Sequence, residues 1–146
     1  FEELLKLDDE KDISFIKIDD DYTSSWKQLI DWIRLQKHNI SSNNAFLLSK
    51  IEFFLMKHRE SNKSSSSYIT ERYKNLITAI TDFIDKGTEK KQFHPCKSSE
   101  FIALYILSFF DGLTIDTFNL SLELTRVNEQ IDILIFTLEN MLRPIK

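Results

Sequence analysis

The chain has 146 residues, only two Gly and two Pro, and a formal net charge of −4 from 19 basic and 23 acidic residues. Average usage would make Gly and Pro about 12% of a protein, and β-turns and phosphate-binding loops need both, so the shortage disfavours all-β folds and most nucleotide-binding α/β folds. The scattered basic residues disfavour nucleic-acid or anionic-membrane binding by this chain, and a single all-α domain is predicted.

The first third of the sequence predicts two helices. Residues 2–6 are good helix formers with no capping residue before them, so the chain is predicted to begin inside a helix. The acidic stretch 8–12 is predicted to end that helix, and an irregular segment to cover residues 13–19. A second helix is predicted from residue 20 or 21 to about residue 37. Its apolar stripe is Tyr22, Trp26, Leu29, Ile30 and Ile33.

The middle of the sequence predicts two further helices separated by a flexible connection. After a loop at residues 41–44, a third helix is predicted to reach about Arg59. The polar, serine-rich segment 60–67 is predicted to be a loop within the same domain. A fourth helix is predicted over residues 68–90. Gly87 continues its apolar face, which indicates either a close helix crossing or a fraying helix end. That face consists of Ile69, Tyr73, Leu76, Ile77, Ile80 and Ile84.

The last third predicts two strongly apolar helices. Pro95 breaks the helical pattern, and Ser98 offers an N-cap for a fifth helix ending near Asn119. This helix is apolar around nearly its whole circumference. The sixth, residues 123–142, has one apolar stripe and an additional pair, Ile133 and Phe136. A terminal helix needs only one buried face, so the two helices are predicted to pack against a second copy of the chain, giving a helical homodimer.

Motifs for catalysis, cofactors and metals are missing from the sequence. It contains no Gly-x-Gly-x-x-Gly, Walker, His-Glu-x-x-His or Cys-x-x-Cys pattern, so neither cofactor nor metal is predicted. The acidic runs 8–10 and 19–21 lack the pattern of a calcium loop and are interpreted as solvated helix caps. The only cysteine, Cys96, indicates a reducing compartment and a cytoplasmic location. No segment has the roughly 20 apolar residues of a transmembrane helix, and no membrane association is predicted.

Aromatic residues are abundant, with 12 Phe, four Tyr and two Trp. Most are expected to form a Phe-rich core. Some are also candidates to line a cavity for a small apolar or aromatic ligand, because the polar atom of Tyr or Trp needs a partner that a dry core does not supply. The candidate ligand-binding residues are Trp26, Ile30, Phe54, His58, Tyr73, Ile77, Tyr105 and Phe109.

Three segments of the fourth and fifth helices resemble a known family. They are Tyr73–Ile77, Ile84–Phe93 and Ile102–Leu113, and together they are similar to the C-terminal regulatory domain of TetR transcriptional repressors. That family often shows a helix ending near Gly-hydrophobic-x-x-Gly-x-Phe, a short turn with Asp or Pro, and an apolar helix with a central Asp-Gly. Gly87, Phe93, Asp111 and Gly112 match this pattern, and Lys91 stands at the family's second glycine.

The resemblance implies one effector-binding and dimerisation domain over residues 1–146, a bundle of about six helices. Residues 1–12 would be the remnant of a helix linking it to an N-terminal helix-turn-helix domain that lies outside this chain and binds DNA. The function implied is that of a bacterial repressor controlled by a small apolar effector, without enzymatic activity. The last two helices would form a four-helix dimer interface, with the candidate residues Leu107, Phe110, Gly112, Thr114, Ile133 and Phe136.

Two alternatives to this function come from other classes of protein. The first is a helical carrier of lipids or small molecules, or a protein-interaction module, without a DNA role. The second is an enzyme built in a helical bundle, which would need inward carboxylates and Glu-x-x-His motifs that the sequence lacks.

Overall fold

Helices make up all the regular secondary structure in the described part of the chain. The computed structural model describes residues 2–17, 24–42, 44–60 and 63–146. The predicted all-α fold is confirmed. The elements are α1 (Glu2–Ile16), α2 (Ser25–Ser42), α3 (Asn44–Glu60), α4 (Lys63–Glu89), α5 (Ser99–Leu120), the single turn α6 (Leu122–Thr125) and α7 (Val127–Leu142).

The core forms where the apolar stripes of α2, α4, α5 and α7 meet. Most of the described residues in the stripes predicted for α2 and α7 are buried. Trp32 of α2 is also part of the core, with 4% of its surface exposed. Phe93, in the turn after α4, is fully buried and packs edge-on against Phe83, with 5.9 Å between ring centroids. The predicted start of the second helix lies outside the described residues, and the helix continues to Ser42, beyond its predicted end.

α5 lies at the centre of the fold and contacts α2, α3, α4, α6 and α7. Ser98 caps it as predicted, accepting a hydrogen bond from the Phe101 amide at 3.4 Å. By length and composition α5 would suffice to cross a membrane, but core helices of soluble proteins pass the same test. One side of α5 is buried in the core, and the other carries exposed apolar residues such as Phe101 and Ile115.

The predicted end of α1 at the acidic stretch is wrong, because the helix continues through it to Ile16. Leu5 and Ile16 are buried, at 0% and 2% exposure, and Asp9 is only 8% exposed. These residues recur at helical spacing with Asp12, so two carboxylates interrupt what is otherwise an apolar stripe. The interpretation of Asp8 to Glu10 as solvated caps is therefore wrong for Asp9.

The predicted loop 60–67 is also shorter than expected, because α4 already begins at Lys63. At its other end the predicted helix crossing at Gly87 is wrong. Gly87 is packed against the ring of Phe93 instead, and its carbonyl accepts the amides of Gln92 and Phe93 at 2.8 and 3.2 Å. Lys91, at the family's glycine position, adopts a left-handed conformation with φ of 62°, which glycine adopts at lower cost.

The predicted sixth helix is divided in two at Arg126. This residue has φ 51° and ψ 57°, a left-handed conformation that ends α6 and precedes α7. The Thr125 hydroxyl donates to the Ser121 carbonyl at 2.8 Å, and the Gln130 side-chain amide donates to the Thr125 carbonyl at 2.6 Å. Local side-chain bonds of this kind compete with continuous helical hydrogen bonding and explain the break.

The two glycines provide a matched pair of stability predictions. A Cβ at Gly87 would lie 2.4 Å from Phe93 Cδ2, whereas a Cβ at Gly112 meets no atom within 4 Å. Gly87→Ala is expected to destabilise the fold by about 1–3 kcal/mol through overpacking of a buried ring. Gly112→Ala is expected to stabilise it by up to about 1 kcal/mol through helix propensity. Urea unfolding measures the free energy of unfolding of both variants. Equal changes in the two variants would contradict the close packing of Gly87 against Phe93.

Candidate functional site: a polar cavity beside α1

A cavity of about 110 Å³ lies where α1, α2, α3, α4 and α5 meet. We call it the polar cavity because most of its lining side chains are polar or charged. The polar residues are Asp8, Asp12, Gln36, Asn39, Lys50, Arg72, Asp111 and Thr114. The apolar residues are Trp32, Ile40, Leu76, Leu107 and Phe110.

A buried ion pair joins α1 to α4 at the edge of this cavity. Arg72 Nε donates to Asp9 Oδ2 at 2.8 Å, and the two side chains are only 9% and 12% exposed. Burial nevertheless raises the pKa of Asp9, because the loss of water around its carboxylate outweighs the attraction of Arg72. Asp9 Oδ1 is buried and finds no hydrogen-bond donor among the described residues. The pair thus holds α1 in place through one carboxylate oxygen.

The same arginine also borders a second space. An open groove of about 300 Å³ between α1 and α4 is lined in part by Asp9, Arg72 and Leu76. Because Arg72 and Leu76 line both spaces, the polar cavity and this groove adjoin each other.

Burial also shifts the pKa values of other groups on the cavity wall. Asp12 Oδ1 accepts a hydrogen bond from the Gln36 side-chain amide at 3.0 Å, yet burial raises the pKa of the Asp12 carboxyl. Burial lowers the pKa of Lys50, and the neighbouring positive charge of Arg72 lowers it further. Several perturbed titratable groups around one cavity are typical of functional sites.

An aromatic wall completes the cavity. Trp32 packs edge-on against Phe110, with ring centroids 5.7 Å apart. Its indole Nε1 is buried and has no hydrogen-bond acceptor among the described residues. A buried indole N–H usually finds a partner, and the polar cavity that Trp32 lines offers room for one.

The predicted ligand-binding residues with described side chains do not line the polar cavity. Trp26 is buried in the core, Ile30 and Ile77 pack against the core, and Tyr105 is 38% exposed. The side chain of His58 lies outside the described residues. Of the seven residues whose side chains are described, none lines the polar cavity.

Three predicted residues contact a residue of the cavity wall. The Phe54 ring lies under the Arg72 guanidinium, 5.1 Å from its central carbon to the ring centroid. The Tyr73 hydroxyl donates to Asp111 Oδ2. Phe109 packs edge-on against Phe110 at 5.4 Å. The role of these residues in ligand binding stays a prediction.

The predicted interface residues divide into two groups. Leu107 and Phe110 are each only 8% exposed within the single chain, and together with Thr114 they line the polar cavity. Gly112 is exposed, and Ile133 and Phe136 are 63% and 69% exposed. Only the second group lies on a surface that another molecule can reach.

Apolar stripes did not predict the polar residues of the cavity wall, or Asp9 beside it. Asp9 and Asp12 lie at stripe positions of α1, and Asp111 interrupts the most apolar helix of the chain. A charged residue at an apolar stripe position is the signal that would have identified them.

The ion pair gives the first prediction for this site. Arg72→Met is expected to destabilise the protein by about 3–5 kcal/mol, because Asp9 stays buried without its partner. The double variant Asp9→Leu/Arg72→Met is expected to regain most of that loss. Urea unfolding of the single and double variants measures the coupling between the two positions. Strictly additive effects would contradict a direct interaction.

The Tyr73–Asp111 hydrogen bond gives the second prediction. Burial, followed by the hydrogen bond to Asp111, raises the pKa of Tyr73 from 10.0 to about 12. The folded state holds this proton more tightly than the unfolded state, so the stabilisation is complete below about pH 10 and is lost as the pH rises towards 12. Absorbance at 295 nm is expected to show a late tyrosinate step that Tyr73→Phe removes.

A matched change tests the cause of that shift. Asp111→Asn removes the negative charge and is expected to move the late step towards about pH 10. Circular dichroism over the same pH range shows whether the chain is still folded. An unchanged late step in the Asp111→Asn variant would show that burial alone holds the Tyr73 proton.

Comparisons with known proteins agree with this architecture. Residues 28–128 match the family model described as the tetracyclin repressor-like C-terminal domain. Among solved structures, Salmonella enterica GusR is similar with a TM-score of 0.73 and 16% sequence identity, over 97% of this chain and 70% of its own. At that identity the likeness shows the fold. The search of curated proteins found no match. Since the family model covers more than half of the chain, the protein belongs to the TetR family, as a C-terminal domain of that family.

Proposed function

We propose that this domain senses a small effector and dimerises within a TetR-type repressor, whose DNA binding is carried out by a helix-turn-helix domain outside these 146 residues. The observation that carries the proposal is the polar cavity, because its walls include both the body of the bundle and α1. The proposal assigns the domain no catalytic activity, no cofactor and no membrane association, and places it in the cytoplasm.

The arrangement of α1 supports a route from effector to DNA. Asp8 and Asp12 belong to the cavity wall, and Asp9 holds the same helix to Arg72. An occupant of the cavity therefore contacts α1 and its anchor directly. If α1 continues towards the DNA-binding domain, its displacement changes the distance between the two helix-turn-helix domains of a dimer. The effector must bind the two arrangements with different affinity for such coupling to occur.

The character of the cavity changes the proposed ligand. The sequence favoured an apolar or aromatic effector, but the cavity wall contains three carboxylates and two cationic side chains. An apolar molecule would offer no hydrogen-bond partner to those oxygen and N–H groups of the wall that are not already paired within the chain, and leaving them unpaired is costly. A polar effector is therefore proposed in place of an apolar one.

Dimerisation is proposed to use the exposed apolar face of α5 and α7. Ile133 and Phe136 are exposed on α7, and Phe101, Ile115 and Phe118 are exposed on α5 at 70%, 47% and 46%. Large apolar side chains concentrated on two neighbouring helices indicate a protein interface. Gly112 is also exposed on α5, and a Cβ placed there would lie in open space.

The alternative is a helical carrier or interaction module without a DNA role, and the polar cavity is compatible with it. The gene's reading frame upstream of Phe1 distinguishes the two. A segment of about fifty to sixty residues with a helix-turn-helix pattern and basic character supports the repressor. An upstream frame without such a segment would favour the carrier.

Native mass spectrometry tests the effector-sensing part of the proposal. Domain purified rapidly under gentle conditions is expected to retain a small molecule in a fraction of the chains, and this molecule should be released on denaturation. A polar compound supports the proposed cavity. A retained lipid or other long apolar molecule would contradict it.

The interface gives a prediction with a matched control. Phe136→Asp is expected to weaken the dimer about 30-fold or more, because an exposed aromatic anchor at an interface contributes about 2 kcal/mol or more. Leu55→Asp is the control, since Leu55 is also exposed, at 51%, but lies on α3. Light scattering at micromolar concentration measures both variants. A wild-type chain that is monomeric under these conditions would overturn the interface.

A further inference from the structure

We propose that the polar cavity binds a small organic cation, a protonated amine that also carries a hydrogen-bond acceptor, with its ammonium group between Asp8 and Asp12. This inference rests on the proposed effector site and names the chemistry of its ligand. It follows from the charge of the wall, the crowding of its carboxylates and one unpaired donor.

The wall of the cavity has more negative than positive charge. Its ionisable side chains are those of Asp8, Asp12, Asp111, Lys50 and Arg72. The charge of Arg72 is already balanced by Asp9, which lies outside the cavity wall. Only Lys50 is left to balance three carboxylates. An added positive charge would therefore be attracted more strongly than an added negative one.

The carboxylates of α1 are also crowded together. Asp8, Asp9 and Asp12 each place a carboxylate oxygen within 4.8 Å of the others. Burial is the main cause that raises the pKa of both Asp9 and Asp12, and the neighbouring carboxylates raise it further. A bound cation would stabilise the ionised form of these crowded carboxyl groups.

The surroundings of Trp32 favour an organic cation over a bare metal ion as the ligand. Its indole N–H is buried, with 4% of the residue exposed, and has no acceptor in the described ranges. An oxygen acceptor on the ligand would satisfy this donor. The adjoining faces of Trp32 and Phe110 suit the carbon atoms of an amine better than the water shell of a metal ion.

The size of the cavity limits the ligand. Its volume of about 110 Å³ is smaller than the roughly 150 Å³ of a cavity that binds benzene. A ligand confined to it has only a few non-hydrogen atoms, as an amino alcohol does. A longer amine would extend past Arg72 into the open groove beside α1.

Calorimetric titration of the 146-residue domain tests the proposal directly, with ethanolamine and 4-amino-1-butanol as probes, since each is a protonated amine with a hydroxyl group that can accept a hydrogen bond. Binding with a Kd below about 10 mM is expected for at least one of them. It should persist in 0.5 M NaCl, because buried charges are screened less than exposed ones. Mg²⁺, Mn²⁺ and Ca²⁺ are titrated in parallel, and gluconate represents anions.

Variants assign the binding to the cavity. Asp12→Asn keeps an oxygen to accept the Gln36 hydrogen bond but removes the charge, so amine affinity is expected to fall at least tenfold. Asp8→Asn provides a second test if the first variant unfolds. Asp116→Asn is the matched control, because Asp116 is exposed on α5 and absent from the cavity wall. Circular dichroism establishes that each variant is folded.

The outcomes separate this inference from the proposed function. Three results would overturn the organic-cation site. The first is tight binding of a divalent ion without amine binding, and the second is binding of gluconate alone. The third is amine binding that neither Asp12→Asn nor Asp8→Asn affects. The effector-sensing role would survive those results if the domain retained another polar molecule. Conversely, amine binding in a protein whose gene encodes no helix-turn-helix would support the site and contradict the repressor.

Discussion

The buried ion pair between Asp9 and Arg72 is the interaction on which the arrangement around the cavity depends. It holds the polar face of α1 against α4, while Leu5 and Ile16 fix the two ends of the same helix in apolar surroundings. Replacing the pair by apolar residues would attach α1 equally well or better. A charged attachment has a different property, since a polar ligand in the neighbouring cavity can compete with it. In the proposed sensing mechanism, this property would make the Asp9–Arg72 pair a contact that a ligand can replace.

α5 shows how one apolar helix can serve three environments. Ile102, Ala103 and Ile106 lie in the core, whereas Leu107 and Phe110 face the polar cavity. Phe101 and Ile115 remain exposed. A helix with a single apolar stripe could not supply the core, a binding site and an open surface together. The unusual apolarity of this segment is therefore a consequence of its central position.

Much of the fold was predictable from sequence, and the errors share physical causes. Apolar periodicity identified the stripes of α2 and α7, and the Ser98 cap marked the start of α5. Periodicity failed for α1, because carboxylates occupy stripe positions and make an inward face look solvated. It also failed to orient α5, since a helix that is apolar all round gives no indication of which side faces a neighbour.

Local backbone geometry explains other errors. Lys91 and Arg126 adopt left-handed conformations that their residue types do not predict. The position of the turn after α4 was predicted, but its backbone conformation and the break before α7 were not. None of the predicted ligand-binding residues with a described side chain lines the polar cavity. Its polar lining depends on which residues tertiary packing brings together, and helical spacing within single segments carries no such information.

The burial of the Asp9–Arg72 pair has a consequence for ionic strength. Exposed charges lose most of their attraction in salt, but a pair this enclosed is screened far less. Binding to DNA phosphates, by contrast, weakens steeply as salt rises, because it is driven by the release of counterions. In a repressor built on this domain, the internal attachment of α1 would thus keep its strength over a range of salt concentrations that changes DNA affinity by orders of magnitude. In such a repressor, the attachment of α1 and the binding of DNA would therefore depend on ionic strength independently of each other.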